Sequence, residues 1–175
     1  QEVNLETIYL TMNGSSSISA RDINIMVWNK MSMNNASLIE ALRDIFLIVF
    51  NLQMNNHSNL HADNNTNILA QNITLNNHSK VSSDNNVNID TQILTMNNHS
   101  SIDPNNININ ATNMTMNGSS TVSSQHNAHI NVSHDLLMKN KSQIEAQNKV
   151  KIHVGNDMKM RGSSNIEAPK VNIST

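Results

Sequence analysis

The sequence contains no cysteine, and this absence excludes disulfide bonds, thiolate metal sites and cysteine nucleophiles together. Aromatic residues make up only 2% of the chain and charged residues 14%, so a compact globular core built on Phe and Trp is excluded. No apolar run of about 18 residues is present, and no signal segment is visible. We therefore predict no membrane span.

What the chain does contain is a repeat rich in Asn, which supplies 34 of the 175 residues. The unit is Met-Asn-(Asn or Gly)-x-Ser followed two residues later by an aliphatic residue, with Leu replacing Met once and Lys or Arg replacing the first Asn in the last two copies. Its eight copies begin at Met12, Met33, Met54, Leu75, Met96, Met116, Met138 and Met160. A periodic aliphatic pattern disfavours disorder, and repeats of this length predict a stack of structural units.

Positions within the unit alternate as they do in strands. Two residues after the Met column the chain has only Gly or Asn, which tolerate positive φ, so we predict a tight corner there. Four residues after it the chain always has Ser, whose hydroxyl we expect to bond a freed backbone group or the next coil. A second alternating run closes each copy, as in DINIMV at 22–27 and NININA at 106–111.

A period of two with many β-branched residues is typical of strands. The sequence therefore predicts an all-β fold, a single-chain parallel β-helix (β-solenoid) of about eight coils of about 21 residues, which occupies residues 1–175. Parallel crossovers are almost always right-handed, and a rise of about 4.8 Å per coil gives a rod on the order of 40 Å long. Like residues should stack in columns, with Met, Leu, Ile and Ser inside and hydrogen-bonded Asn outside.

His57, His78 and His99 occupy one position in three consecutive coils. Three imidazoles in a row are a candidate site for a divalent metal such as Zn²⁺ or a pH-sensitive patch. The alternative, which we adopt, is that they are solvent-facing corner residues, since other coils have Ser, Ala or Lys at this position. We predict no metal, no cofactor and no catalytic residue.

Thirteen Asn-x-Ser/Thr triplets occur, among them those at Asn56, Asn77, Asn98, Asn110, Asn131 and Asn140. They are candidate N-glycosylation sites in a secreted protein. The alternative is that they follow from the shape of the repeat, because an Asn at the corner, two residues before a fixed Ser, always forms this triplet.

Carboxylates recur at similar coil positions at Asp63, Asp84 and Asp103, and we interpret them as a surface column. General acid–base catalysis would need two carboxylates converging in a cleft. A pectate-lyase-type enzyme would share the architecture but needs a charged groove, and the sequence has no such pattern, no phosphate-binding loop and no basic stripe with aromatic residues. We predict a protein that is not an enzyme and binds no nucleic acid.

Residues 38–53 depart from the repeat, since they read LIEALRDIFLIVFNLQ. Met33 and Met54 still keep the spacing of the repeat, so the coil register continues and only the outward face changes. We predict an outward apolar patch of Met26, Trp28, Phe46, Ile48 and Phe50, which contains the only Trp and both Phe of the chain. Exposed apolar surface of this kind marks a partner site; the alternatives are a covering loop or cap over the first coils and a lateral contact between identical subunits.

Charge is distributed unevenly along the chain. Residues 1–138 carry four basic and ten acidic groups, a net −6, whereas residues 139–175 carry seven basic and three acidic groups, a net +4, which sums to the overall −2. Such polarity is typical of a rod with an interacting end. Because the chain begins at Gln1 and stops part-way through a repeat, we expect a processed chain or part of a longer or assembled rod.

The stretches MNGSSSISARDINI and LNNHSKVSSDNNVNID resemble the repeats of filamentous-haemagglutinin-type exoproteins, the β-helical adhesins of bacterial two-partner secretion. The resemblance extends from about Leu10 to Ile173. It implies a secreted or cell-surface shaft that presents a binding region to a host-surface receptor.

Two other functions remain open. Stacking of the acidic start on the basic end of another copy would make the chain a subunit of a self-assembling extracellular filament. The final stretch SSNIEAPKVNIST resembles the β-prism of spike proteins from contractile injection machines. Those spikes are intertwined trimers, whereas eight complete copies favour coils closed by one chain.

Overall fold

The computed structural model describes all 175 residues, and its regular elements are strands without any helix. All strands belong to one sheet, and every pairing is parallel. The strands are β1 Glu2–Met12, β2 Ser17–Met33, β3 Leu38–Met54, β4 Asn59–Ala62, β5 Asn65–Leu75, β6 Lys80–Met96, β7 Ser101–Met116, β8 Thr121–Ser124, β9 Asn127–Val132, β10 Leu136–Met138, β11 Gln143–Ala146, β12 Lys149–Val154, β13 Met158–Met160, β14 Asn165–Glu167 and β15 Lys170–Ser174.

The sheet winds into a solenoid whose coils each have three faces. In one coil the first face is residues 59–62, the second is residues 65–70 and the third is residues 72–75, and each pairs with the equivalent residues of the coils before and after it. Paired residues lie 20 to 22 positions apart in sequence. The predicted β-solenoid of about eight coils, each close to the predicted length, is confirmed.

The corner between the third and first faces is built from two consecutive residues with positive φ. Asn77 and His78, for example, have φ of 50° and 61°. All positive-φ residues of the chain lie at these corners, two in each repeat. The predicted Gly or Asn corner is therefore confirmed, and the residue after it shares the left-handed conformation, although it is Ser, Ala, His or Lys.

The core is a single cluster of 41 buried apolar residues that runs through the stack. The inward positions predicted for the repeat at Met96 are confirmed, because Met96, Ser100, Ile102, Ile107 and Ile109 are each at most 1% exposed. Alternation along each strand sends every second side chain inward. Burial of these side chains is the main favourable contribution to folding.

Coils whose length departs from the usual repeat absorb the difference at corners, where the sheet is not paired. Ser83 pairs with Pro104 and Asn86 with Asn106, so the two positions 84–85 lie opposite Asn105 alone. This shortens the coil without shifting the inward columns of either neighbouring face.

The hydrogen bonds expected for the serine column of the repeat are mostly not formed, which corrects the sequence prediction. The hydroxyls of Ser16, Ser37, Ser58, Ser79 and Ser100 are buried without a partner. Only later copies differ: Ser120 Oγ accepts from the Asn117 N–H at 3.1 Å, and Ser142 Oγ lies 3.4 Å from Ser164 Oγ. The inward direction of the column and the distance between coils leave the earlier hydroxyls facing the core.

The predicted Asn ladders are confirmed. Nδ2 of Asn76 donates to Oδ1 of Asn55 at 2.9 Å, and Nδ2 of Asn97 donates to Oδ1 of Asn76 at 2.9 Å, so each amide links two coils. A parallel ladder at the corner joins Asn56, Asn77 and Asn98 at 3.0 and 3.1 Å.

The chain has no helix that could cross a membrane.

Candidate functional site

The structure brings the five predicted patch residues together on the second face of the first coils. We call Met26, Trp28, Phe46, Ile48 and Phe50 the aromatic face. Strands β2 and β3 pair in parallel so that Met26 lies beside Ile48. Trp28, Phe46 and Phe50 are 61%, 46% and 50% exposed, whereas Met26 and Ile48 are half-buried between them. The sheet therefore presents its largest aromatic side chains to solvent.

Sequence reasoning missed one member of this surface. Leu69 pairs with Ile48 on the adjacent coil and is 48% exposed, so it extends the apolar surface by one coil. A single apolar residue between Asn67 and Gln71 does not indicate a patch when the sequence is considered alone. Together with Met26, Trp28, Ile48 and Phe50 it lines a shallow groove of about 550 Å³.

Polar neighbours fix the orientation of the aromatic side chains. The indole N–H of Trp28 donates to Oε1 of Glu6 at 3.1 Å. Beside it, Nδ2 of Asn29 donates to the hydroxyl oxygen of Tyr9 at 2.9 Å, and Tyr9 is itself 63% exposed. An exposed aromatic residue with one held polar edge is typical of contact surfaces, because little conformational entropy is lost when a partner binds.

The second face changes character along the rod. Its first column has acidic residues in the early coils, Asn in the middle and Lys at the end: Glu2, Asp22, Asp44, Asn65, Asn86, Asn106, Asn127, Lys149 and Lys170. The charge polarity found in the sequence is thus displayed as one column on a single face. The aromatic face lies at the acidic end of that surface.

An ion cluster sits at the acidic end. Asp22, with a side chain only 10% exposed, lies 3.0 Å from Nε of Arg21 and 2.6 Å from Nε of Arg43, and Arg43 also lies 3.3 Å from Asp44. Burial raises the pKa of Asp22, but the hydrogen bonds from the two guanidinium groups outweigh it, so the pKa lies below its usual value. Asp22 thus binds two arginines of adjacent coils.

The His column stacks as predicted, but its geometry is poor for a metal. The rings of His57 and His78 and those of His78 and His99 have centroids 4.9 Å apart and planes within 5° of parallel. Two nitrogen ligands of one zinc ion lie at most about 4.2 Å apart, twice the usual bond length. Lone pairs in parallel planes do not converge on one ion, so this geometry favours solvent-facing corner residues.

The candidate glycosylation sites occupy two environments. Asn56, Asn77, Asn98 and Asn140 are exposed corner residues with positive φ, whereas Asn110 and Asn131 lie within strands of the second face. The serine of each corner triplet is fully buried in the folded coil. An enzyme that reads the serine hydroxyl would therefore have to act before the coil folds.

Comparison of the chain with protein-family models, curated proteins and solved structures gives no significant match.

Proposed function

We propose that the chain is a non-enzymatic structural rod, the shaft of a secreted or cell-surface adhesin. The observation that carries the proposal is the continuity of the stack. Each coil pairs with its neighbours over three faces, and one core of 41 apolar residues runs through it. Stacked repeats extend a rod by adding coils, without any change in the existing packing.

The polar surface supports this role. In the middle coils, beyond the aromatic face, the second face carries Asn side chains whose amides bond to one another, as between Asn88 and Asn67 at 2.9 Å and between Asn108 and Asn88 at 2.9 Å. Amides already bonded within the ladder have fewer groups to offer a passing molecule. A shaft that holds other regions away from a surface needs sides that do not bind passing molecules.

The aromatic face is the proposed contact region of the shaft. Its exposed apolar side chains lie side by side on paired strands, and exposed patches of this kind occur where proteins associate. We propose that it binds a partner protein or an identical subunit. The resemblance to filamentous-haemagglutinin-type exoproteins adds a host-surface receptor as a candidate partner.

Antibody labelling of the source cells tests the proposed location. An antibody raised against the folded chain should label intact cells as strongly as permeabilised ones. The matched control is an antibody to a cytosolic protein, which should label only permeabilised cells. Labelling of the chain that appears only after permeabilisation would refute a surface rod.

A second candidate function, a self-assembling filament, is favoured by the charge polarity of the second face. Stacking of two copies in register would place Lys170 of one next to Glu2 of the other, continuing the column of paired residues. Electron micrographs of the full chain should then show filaments, which Lys170→Glu should abolish and Lys139→Glu should leave intact. Monodisperse particles of the parent chain would rule this function out in favour of the shaft.

The way each coil closes is also relevant to the alternative that the chain is a spike of a contractile injection machine. Each coil closes within one chain, and paired residues come from successive repeats of that chain. This arrangement favours a single-chain shaft over an intertwined trimer.

A further inference from the structure

A group of potential metal ligands lies on the first face, away from the aromatic face. His61 is in β4, Asp63 follows that strand directly, and Ser82 and Asp84 are in β6 one coil further on. His61 pairs with Ser82. Since residues two apart on a strand share a face, the four side chains form a two-by-two array.

The imidazole of His61 faces both carboxylates. Its Nε2 is 3.5 Å from Oδ1 of Asp63 and 3.9 Å from Oδ1 of Asp84. One ligand atom from each of the three residues lies within 4.8 Å of the others. The two His61 distances are long for a hydrogen bond, so the imidazole is close to both carboxylates without being hydrogen-bonded to either.

The other ring nitrogen of His61, Nδ1, already has a hydrogen-bond partner. Nδ1 of His61 lies 3.0 Å from Oγ of Ser82, which is 6% exposed. In the tautomer whose Nδ1–H donates to this buried hydroxyl, the lone pair of Nε2 points to the two carboxylates. Histidines that bind metals are oriented in this way, by a hydrogen bond from the nitrogen that does not coordinate.

The local charge is also uncompensated. Asp63 and Asp84 form no salt bridge with Lys or Arg, and His61 is the only basic side chain within 4 Å of their carboxylates. Lys80, on the same strand as Asp84, is bound to Asp103 at 2.9 Å. Two carboxylates and a ring nitrogen therefore converge with at most one positive charge among them, which a divalent cation would balance.

We propose that His61, Asp63 and Asp84 bind a divalent transition-metal ion of the zinc class, with water completing its coordination. Ligand atoms about 2.0–2.2 Å from a tetrahedral ion lie roughly 3.4 Å apart, close to the two distances from His61. Mixed nitrogen and oxygen ligands suit Zn²⁺, whereas Ca²⁺ and Mg²⁺ prefer oxygen alone. The site joins two successive coils, so the ion adds a cross-link to the stack.

Calorimetric titration of the untagged chain with ZnCl₂ at pH 7.5 tests the site. The parent should bind one equivalent of Zn²⁺, and His61→Gln, Asp63→Asn and Asp84→Asn should each weaken binding at least about tenfold. The matched control is His78→Asn in the stacked column, where Asn tolerates the positive φ. This variant should bind Zn²⁺ as the parent does, and circular dichroism should show the same strand content in all variants.

The competing outcomes are distinct. The proposal is overturned if the parent binds no Zn²⁺, or if folded His61→Gln and Asp84→Asn retain parental affinity. Loss of binding in His78→Asn alone would assign the metal to the His column instead. Binding of Mg²⁺ as tight as that of Zn²⁺ would also contradict a site that uses the imidazole.

Discussion

The buried serine column gives a prediction whose sign runs against the usual effect of a core substitution. Ser79 is fully buried, and its hydroxyl has no hydrogen-bond partner. Leaving a buried hydroxyl unpaired costs about 1–3 kcal/mol in desolvation. Ser79→Ala removes that group, keeps Cβ in place and opens almost no cavity, so we expect it to raise the free energy of unfolding by about 1 kcal/mol.

Ser120 supplies the matched control, because it occupies the same column but accepts the Asn117 N–H at 3.1 Å. That N–H has a second acceptor, the carbonyl of Met96 at 2.8 Å. Ser120→Ala should therefore cost only about 0.5–1 kcal/mol, the usual net value of one hydrogen bond. The two variants make the same chemical change and should shift stability in opposite directions.

Guanidinium chloride unfolding followed by far-ultraviolet circular dichroism measures both variants against the parent. The midpoint should rise for Ser79→Ala and fall for Ser120→Ala. If Ser79→Ala is destabilised by as much as Ser120→Ala, its hydroxyl is hydrogen-bonded in the folded protein, and the reasoning about the unpaired column is wrong.

Three further substitutions test other contacts that hold the coils together. Asn76→Ala breaks two inter-coil amide bonds and should lower stability by about 1–2 kcal/mol in the same unfolding assay. Gly155→Ala drives Cβ into the Ser133 carbonyl oxygen and should lower the melting temperature far more than Gly14→Ala, where no atom lies within 4 Å and only the positive φ of 55° opposes a side chain. Asp22 has a lowered pKa in the folded state, so its contribution to stability is present above about pH 4 and is lost as the pH falls through the folded pKa. Stability measured from pH 6 to pH 2 should therefore fall less steeply in Asp22→Asn.

The inward columns and corners of the fold could be read from the sequence because each depends on one position of the repeat. A period of two assigns Ile107 and Ile109 to the core, and Gly or Asn marks the corner. The aromatic face was predictable for the same reason: Met33 and Met54 keep the spacing of the repeat, so Phe46 and Phe50 had to face outward.

Features that depend on contacts between different columns were not predictable. The His61, Asp63 and Asp84 group joins two positions of one coil to a third in the next coil. Hydrogen bonding of the serines was also mispredicted, because a period of two gives the inward direction of a side chain but not the groups that its hydroxyl meets.

The central claim is that the shaft is inert along its polar ladders and makes its contacts through the aromatic face. Photo-cross-linking tests it most directly, with benzoylphenylalanine placed at position 50 or, as the control, at position 127, an exposed Asn-ladder position four coils further along the same face. On the intact surface that displays the chain, we expect a discrete cross-linked adduct from position 50 and none from position 127. Equal adducts from both positions, or none from position 50, would contradict the account.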